Sequence, residues 1–242
     1  MDLIQVQNLS VSGRLQPISF SLKAGELLGV IGPNGAGKST LLQCLAGIQA
    51  HTGRIEYQGR NLAELKQRQR AQYLGYLPQA QHSAWALQVE DIVALGRLPW
   101  GDEDRQKIAK AMQQTDVMQW RKRPVAQLSG GEQARVWLAR VLAGEPNVLL
   151  ADEPIASLDL LHQRKIMELL REHAHAQQAT IVSLHDLSLA ARYCDKLCLL
   201  AEGRVLAFGT VEQVLTPEHL SLAFGIEVHV DLNSLPPIIL PR

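Results

Sequence analysis

Gly32-Pro33-Asn34-Gly35-Ala36-Gly37-Lys38-Ser39 is the stretch that decides how this chain is read. It fits the pattern G-x-x-x-x-G-K-[ST] at every fixed position. The apolar run Glu26–Ile31 before it reads as a buried strand, and Lys38–Ala46 after it has helical character. The order is therefore strand, loop, helix, a context that argues against a chance glycine-rich turn. The residue types follow from the chemistry of an anion. Glycines let backbone N–H groups turn inward and surround phosphate oxygens without side-chain interference. The helix that starts at Lys38 aims its positive end at the same place. Lys38 can reach the β- and γ-phosphates, and the Ser39 hydroxyl can ligate Mg²⁺. The expected triphosphate site is Gly32, Pro33, Asn34, Gly35, Ala36, Gly37, Lys38, Ser39 and Thr40.

Working outward, Val148-Leu149-Leu150-Ala151-Asp152-Glu153 reads as a core strand ending in two carboxylates. Parallel sheets bind their ligands at such strand ends. Asp152 is expected to hold Mg²⁺, through water, and Glu153 to act as general base on an attacking water. Alone, two acids at a strand end are an ordinary solvated terminus; a phosphate loop upstream requires a partner of this kind.

The remaining pattern is that of an α/β domain. Leu3–Val11 and Ile18–Leu22 alternate as strands, and Gly53–Tyr57 enters a hairpin turn. From about Val89 to Trp120 the pattern turns helical. A helix opens at Gly130-Gly131, an amphipathic helix covers Leu160–Ala176, and Thr180–Leu184 is a strand. A helix starts at Leu187, and Lys196–Leu200 with Arg204–Phe208 form a hairpin about Glu202-Gly203. The fold expected is a P-loop NTPase core with a mainly parallel sheet, an N-terminal antiparallel β subdomain and an inserted helical subdomain at about 85–140, all in one domain of 242 residues.

Bulk composition narrows the function classes. Lys plus Arg and Asp plus Glu number 24 each, so there is no basic excess for a nucleic-acid partner. The short clusters Lys66, Arg68, Arg70 and Arg121, Lys122, Arg123 read as solvated faces. Three cysteines without metal-like spacing point to a reducing compartment, each as a buried small hydrophobe. No apolar run approaches the ~18–20 residues that span a bilayer. Nor does Met1–Gln5 open a signal peptide. The expectation is a soluble intracellular chain that meets a membrane only through a partner.

Leu128-Ser129-Gly130-Gly131-Glu132-Gln133 resembles the signature sequence of the ABC ATPases. That resemblance implies ATP with Mg²⁺ as the ligand pair, and a homodimer in which Ser129, Gly130, Gly131 and Glu132 contact the ATP of the other subunit. Further elements follow the family's order. Gln79, after Tyr76-Leu77-Pro78, matches the Q-loop glutamine, a Mg²⁺ or water contact that faces the permease. Ser157-Leu158-Asp159 matches the D-loop, and His185 the switch histidine. The implied catalytic set is Glu153, His185, Lys38 and Gln79, with Mg²⁺ held by Ser39, Gln79 and Asp152.

Many family members carry an aromatic residue after the first strand that stacks on adenine. Leu9–Leu15 has none here, and the first aromatic is Phe20; Arg14 could stack in its place. One nucleotide-binding domain without a membrane segment resembles a separate importer subunit, bound to a two-copy permease at the cytoplasmic face of a bacterial inner membrane. A periplasmic substrate-binding protein is implied indirectly. Asp91–Arg97, Arg192–Asp195, Val214–Pro217 and Phe224–Ile226 resemble the metal-chelate importers. The shortened segment Ser12–Ser19 resembles their cobalamin-importing branch. Cobalamin is therefore the expected cargo, ferric siderophore or haem the alternative, and a soluble regulatory or repair ATPase the reading from another class.

Overall fold

The structure is a computed structural model and describes residues 2–79, 87–156 and 158–241. The chain divides into two compact units, Met1–Leu65 with Leu170–Arg242, and Lys66–Leu169.

In the first unit, β1 (Asp2–Val11) and β2 (Leu15–Lys23) form an antiparallel hairpin. After β3 (Leu27–Ile31) and α1 (Lys38–Leu45) the chain returns as β4 (Thr52–Tyr57) and β5 (Arg60–Asn61). These complete an antiparallel sheet in the order β2-β1-β4-β5. β3 is buried at all five positions, the continuous apolar run of a strand covered on both faces.

The second unit opens with α2 (Gln67–Tyr73) and β6 (Leu74–Leu77), neither of which the sequence pattern announced. Three helices follow, α3 (Val89–Ala94), α4 (Arg105–Gln114) and α5 (Gly130–Ala143), separated by short 3₁₀ turns; α3 and α4 both pack on α5. β7 (Val148–Asp152) pairs in parallel with β6, Leu77 opposite Ala151. α6 (Leu160–His175) then carries the chain back towards the first unit.

There, β8 (Ala179–Ser183) and, after α7 (Leu187–Tyr193), β9 (Lys196–Ala201) flank β3, both parallel to it. β10 (Arg204–Gly209) closes this edge antiparallel to β9. The chain ends with α8 (Val211–Val214), α9 (Pro217–Phe224) and a hairpin of β11 (Val228–Asp231) and β12 (Ile238–Pro241). This is the parallel α/β P-loop core with an antiparallel β subdomain and a helical insertion.

Two arginines do local structural work. Arg68 is exposed, as expected of a solvated face, and its guanidinium also donates to the carbonyls of Pro99 (2.7 Å) and Trp100 (2.9 Å). Arg97 is 1% exposed, donates twice to Asp102 (2.8 and 2.7 Å) and once to the Ala143 carbonyl (3.2 Å). These two arginines pin the loop after α3, a task invisible in composition because the acceptors are mostly backbone oxygens. The cysteines are as expected: Cys44, Cys194 and Cys198 are free and buried. Burial pushes the Cys44 thiol to about 11 and Cys198 to about 12, and raises Cys194 as well. Among the described residues no helix is long and apolar enough to cross a membrane.

Candidate functional site

In the first unit the phosphate-loop sequence forms the turn its residues demand. β3 ends at Ile31, and Gly32 follows with φ 143°, where a Cβ would run into the Leu200 carbonyl oxygen. No L side chain fits both constraints. Gly37 (φ 104°) N-caps α1 without any side-chain cap, and no acid stands in the first turn of that helix. The first N–H groups of α1 are thus kept from side-chain acceptors, at the positive end of its dipole. Lys38 is 5% exposed, and its ammonium donates to the carbonyls of Gly32 (2.8 Å) and Pro33 (3.1 Å). A buried ammonium folded over the mouth of its own loop is placed to grip an anion there.

His185 belongs to the same unit. Val30 of β3 lies opposite Ser183 of β8 in a parallel ladder. Gly32 and His185 therefore both emerge two residues beyond that rung, at one end of the sheet. His185 is exposed.

The second unit repeats this arrangement with acids. The rung Leu77–Ala151 puts Gln79 and Glu153 two residues beyond it, at one strand end, and the Gln79 Nε2 donates to Glu153 Oε2 at 2.7 Å. The carboxylate is held as an acceptor. Glu153 has φ 50°, left-handed for a residue with a Cβ, a strain of order 1 kcal/mol that tends to accompany functional sites. Asp152, one residue earlier, is 2% exposed.

The other feature of this unit is the start of α5. Ser129 is its N-cap. The Ser129 N–H donates to Glu132 Oε2 (2.7 Å), and the Glu132 N–H reaches Ser129 Oγ (3.4 Å), a reciprocal capping box. The Ser129 N–H holds the Glu132 carboxyl below the usual range. In front lies a cavity of about 520 Å³, lined by these residues with Gly130, Gly131 and Arg135, and on another side by Leu158, Asp159 and His162. Asp159 accepts from the His162 N–H (2.9 Å) and pairs with its Nδ1 (2.8 Å), contacts that lower the Asp159 carboxyl. The D-loop expectation covers Ser157 too, which lies outside the described residues.

Sequence reading passed over His162 and Arg135. Asp159-x-x-His162 has the helix-start spacing that signals the first. Arg135, six residues beyond Ser129 along α5, is 6% exposed and donates to the Asp116 carbonyl (2.9 Å).

Metal chemistry can be tested against the donors present. Asp152 offers a carboxylate, Ser39 a hydroxyl and Gln79 an amide oxygen. Each unit thus offers only hard oxygen donors, the second unit a carboxylate and an amide, the first a hydroxyl. Such donors suit Mg²⁺, which keeps waters and phosphate oxygens as ligands and takes only one or two protein groups.

These features define a class: an ATP-hydrolysing P-loop cassette. The ABC transporter family model matches residues 15–156, and the chain belongs to that family as an ATPase subunit of the transport type. Among its relatives are two proteins named "Hemin import ATP-binding protein HmuV". That of Pseudomonas fluorescens is 45% identical over 96% of both chains, and that of Pseudomonas aeruginosa 44% identical over 94% of both. Among solved structures, a metal-chelate type ABC transporter in an inward-facing conformation has a TM-score of 0.86 at 27% identity, covering 100% of this chain and 98% of that one. A dimeric cassette bound to ADP and phosphate has a TM-score of 0.75 at 25% identity, covering 86% of this chain and 98% of that one.

Proposed function

We propose that this chain energises uptake of an iron chelate, haem first, by hydrolysing ATP beneath a two-copy membrane permease on the cytoplasmic face of a bacterial inner membrane. The observation that carries the cargo is the end-to-end likeness, at 45% identity over 96% of both chains, to a haem-import subunit. The likeness to a metal-chelate type transporter over the whole chain supports the same group. Cobalamin, the cargo expected from the sequence, is the second reading, resting on the resemblance of the segment Ser12–Ser19. A substrate-binding protein outside the membrane completes either assembly.

In this reading Gly32–Thr40 hold the triphosphate, with Lys38 on the β- and γ-phosphates. Asp152, Ser39 and Gln79 hold Mg²⁺, which when bound neutralises phosphate charge. Glu153 orients and deprotonates the attacking water, and His185 donates to the γ-phosphate. Two copies pair so that Ser129, Gly130, Gly131 and Glu132 of each close over the other's ATP, with Asp159 reaching the opposite site. Loss of the γ-phosphate then loosens the pair. The helical segment at about 85–140 passes that motion to the permease.

The test is uptake of labelled haem, ferric siderophore and cobalamin by cells lacking this subunit, restored with wild type or Glu153→Gln. Haem uptake that depends on wild type alone is the expected result. Dependence of cobalamin instead would move the cargo to the second reading, and dependence of none would remove the importer assignment.

A further inference from the structure

Three covered arginines lie on or against α5, and only two of them have an anion. Arg97 has the Asp102 carboxylate and the Ala143 carbonyl. Arg135 has the Asp116 carboxylate (3.5 Å) and the Asp116 carbonyl (2.9 Å), with the Trp120 ring 4.8 Å from its guanidinium carbon. Arg140, further along the helix, has no hydrogen-bond or ion-pair partner among the described residues. Its Nε is shut off from solvent without an acceptor. Burial alone pulls the guanidinium below its ordinary pKa, with no charged neighbour acting on it.

A half-buried cation that no anion answers is costly. No acid of this helix is left over to answer it, since Glu132 is held by the Ser129 N–H. Asp116 and Glu145, which flank the helix, pair with Arg135 and Lys107. Yet the group is preorganised. The Trp137 ring, one turn back on α5, lies 5.4 Å from the Arg140 guanidinium carbon, a stacking that holds the plane of the fork. Trp137 Nε1 is a second covered donor without an acceptor.

The surface beside these two residues has the make-up of an interface. α3 and the 3₁₀ turn after it pack on the same helix, so closely that a Cβ on Gly96 would run into the Arg140 carbonyl oxygen. That turn carries Leu95, and the loop beyond it Leu98 and Trp100; all three are exposed, Leu98 to 69%. Exposed apolar side chains beside a partly covered arginine are the composition of a protein–protein contact. A small anion would answer the charge and leave those side chains in water.

We propose that Arg140 receives a carboxylate from an acidic segment of the membrane permease, docked against α5 and the loop Leu95–Trp100. Docking would give the cation its counter-charge and cover the exposed apolar side chains in one step. The inference rests on the permease reading of the proposed function.

The test sets binding to inside-out membrane vesicles, washed free of the native subunit, against the stability of the purified full chain. Arg140→Met keeps the apolar stem and removes the charge. It is expected to raise the Kd for the vesicles about 30-fold or more. The melting temperature of the free chain should rise by about 2–4 °C, because an unpaired covered cation is gone. Arg140→Lys, treated with a carbodiimide on the vesicles, should form an amide between its lysine and a permease carboxylate, the reagent taking up the water and leaving as its urea. Vesicle binding by Arg140→Met equal to that of wild type overturns the proposal. So does a lower melting temperature, which would make Arg140 a support of the fold, or an amide formed within the chain or with a second copy. A wild-type chain that failed to bind the vesicles, or bound protein-free lipid vesicles equally well, would overturn the permease reading itself.

Discussion

Two helix starts in this molecule, those of α1 and α5, are built in opposite ways. α1 begins at Gly37 with no side-chain cap, no acid in its first turn and a buried lysine at its mouth. α5 begins at Ser129 with a full capping box, its own glutamate and an open cavity in front. The first keeps its donors for a ligand. The second has already given two of them away, Ser129 N–H and Glu132 N–H, and carries a negative charge where the dipole is positive. Under the proposed function a highly charged phosphate chain would be gripped by α1 and only touched by the α5 of the other copy. That asymmetry would suit the proposed pair of subunits, which lets go after each hydrolysis.

Several changes would break or sharpen that contrast. The largest effect is expected from Glu153→Gln, which leaves both helix starts intact. Turnover should fall about 10²–10⁴-fold with ATP binding kept, read by comparing single-turnover hydrolysis with equilibrium binding. Near-normal hydrolysis would remove Glu153 as base. Next, Lys38→Ala should weaken ATP about 10–100-fold, whereas Ser129→Ala should barely change ATP affinity for the isolated chain. If the two variants lost equal affinity, the asymmetry argued above would be wrong.

Ser129→Ala should instead cost about 1 kcal/mol of stability from the lost cap, visible in thermal melts. Its ATPase should suffer most at low protein concentration, where pairing limits the rate. The smallest effect is a pH one, at an ion pair of the second unit that is part of neither helix start. Arg97 hydrogen bonds pull Asp102 down to about 2, against about 3.9 in an unfolded chain. A depressed carboxylate stabilises fully above the unfolded value, and that contribution is lost as pH falls towards 2. The melting temperature should therefore drop between pH 4 and 2, and Asp102→Asn should flatten part of the drop. An identical profile for the variant would show the pair to be inert.

Local chemistry was readable in the sequence wherever one stretch of chain carried it. Gly32–Ser39, the run Val148–Glu153 and the cap Ser129–Glu132 each announce themselves by spacing. The unreadable parts are those closed by distant residues. Gln79 meets Glu153 across 74 positions, and Arg68 reaches the carbonyls of Pro99 and Trp100. β6 is only Leu74–Leu77, too short to alternate, and it exists because β7 pairs with it. The β11–β12 hairpin escaped for a similar reason, since its strands have four residues each. His162 became part of a candidate site only when the fold set it beside the start of α5.

The three native thiols have a practical consequence for measuring motion. Thiol-directed labels react with the thiolate, and all three cysteines are both shielded and held protonated well above neutral pH. The wild-type chain is therefore a quiet background for spectroscopy. A single cysteine placed on an exposed position of α6 or of the β1–β2 turn would take up a fluorophore or spin label alone, and would test for the proposed opening and closing without a cysteine-free variant having to be made first.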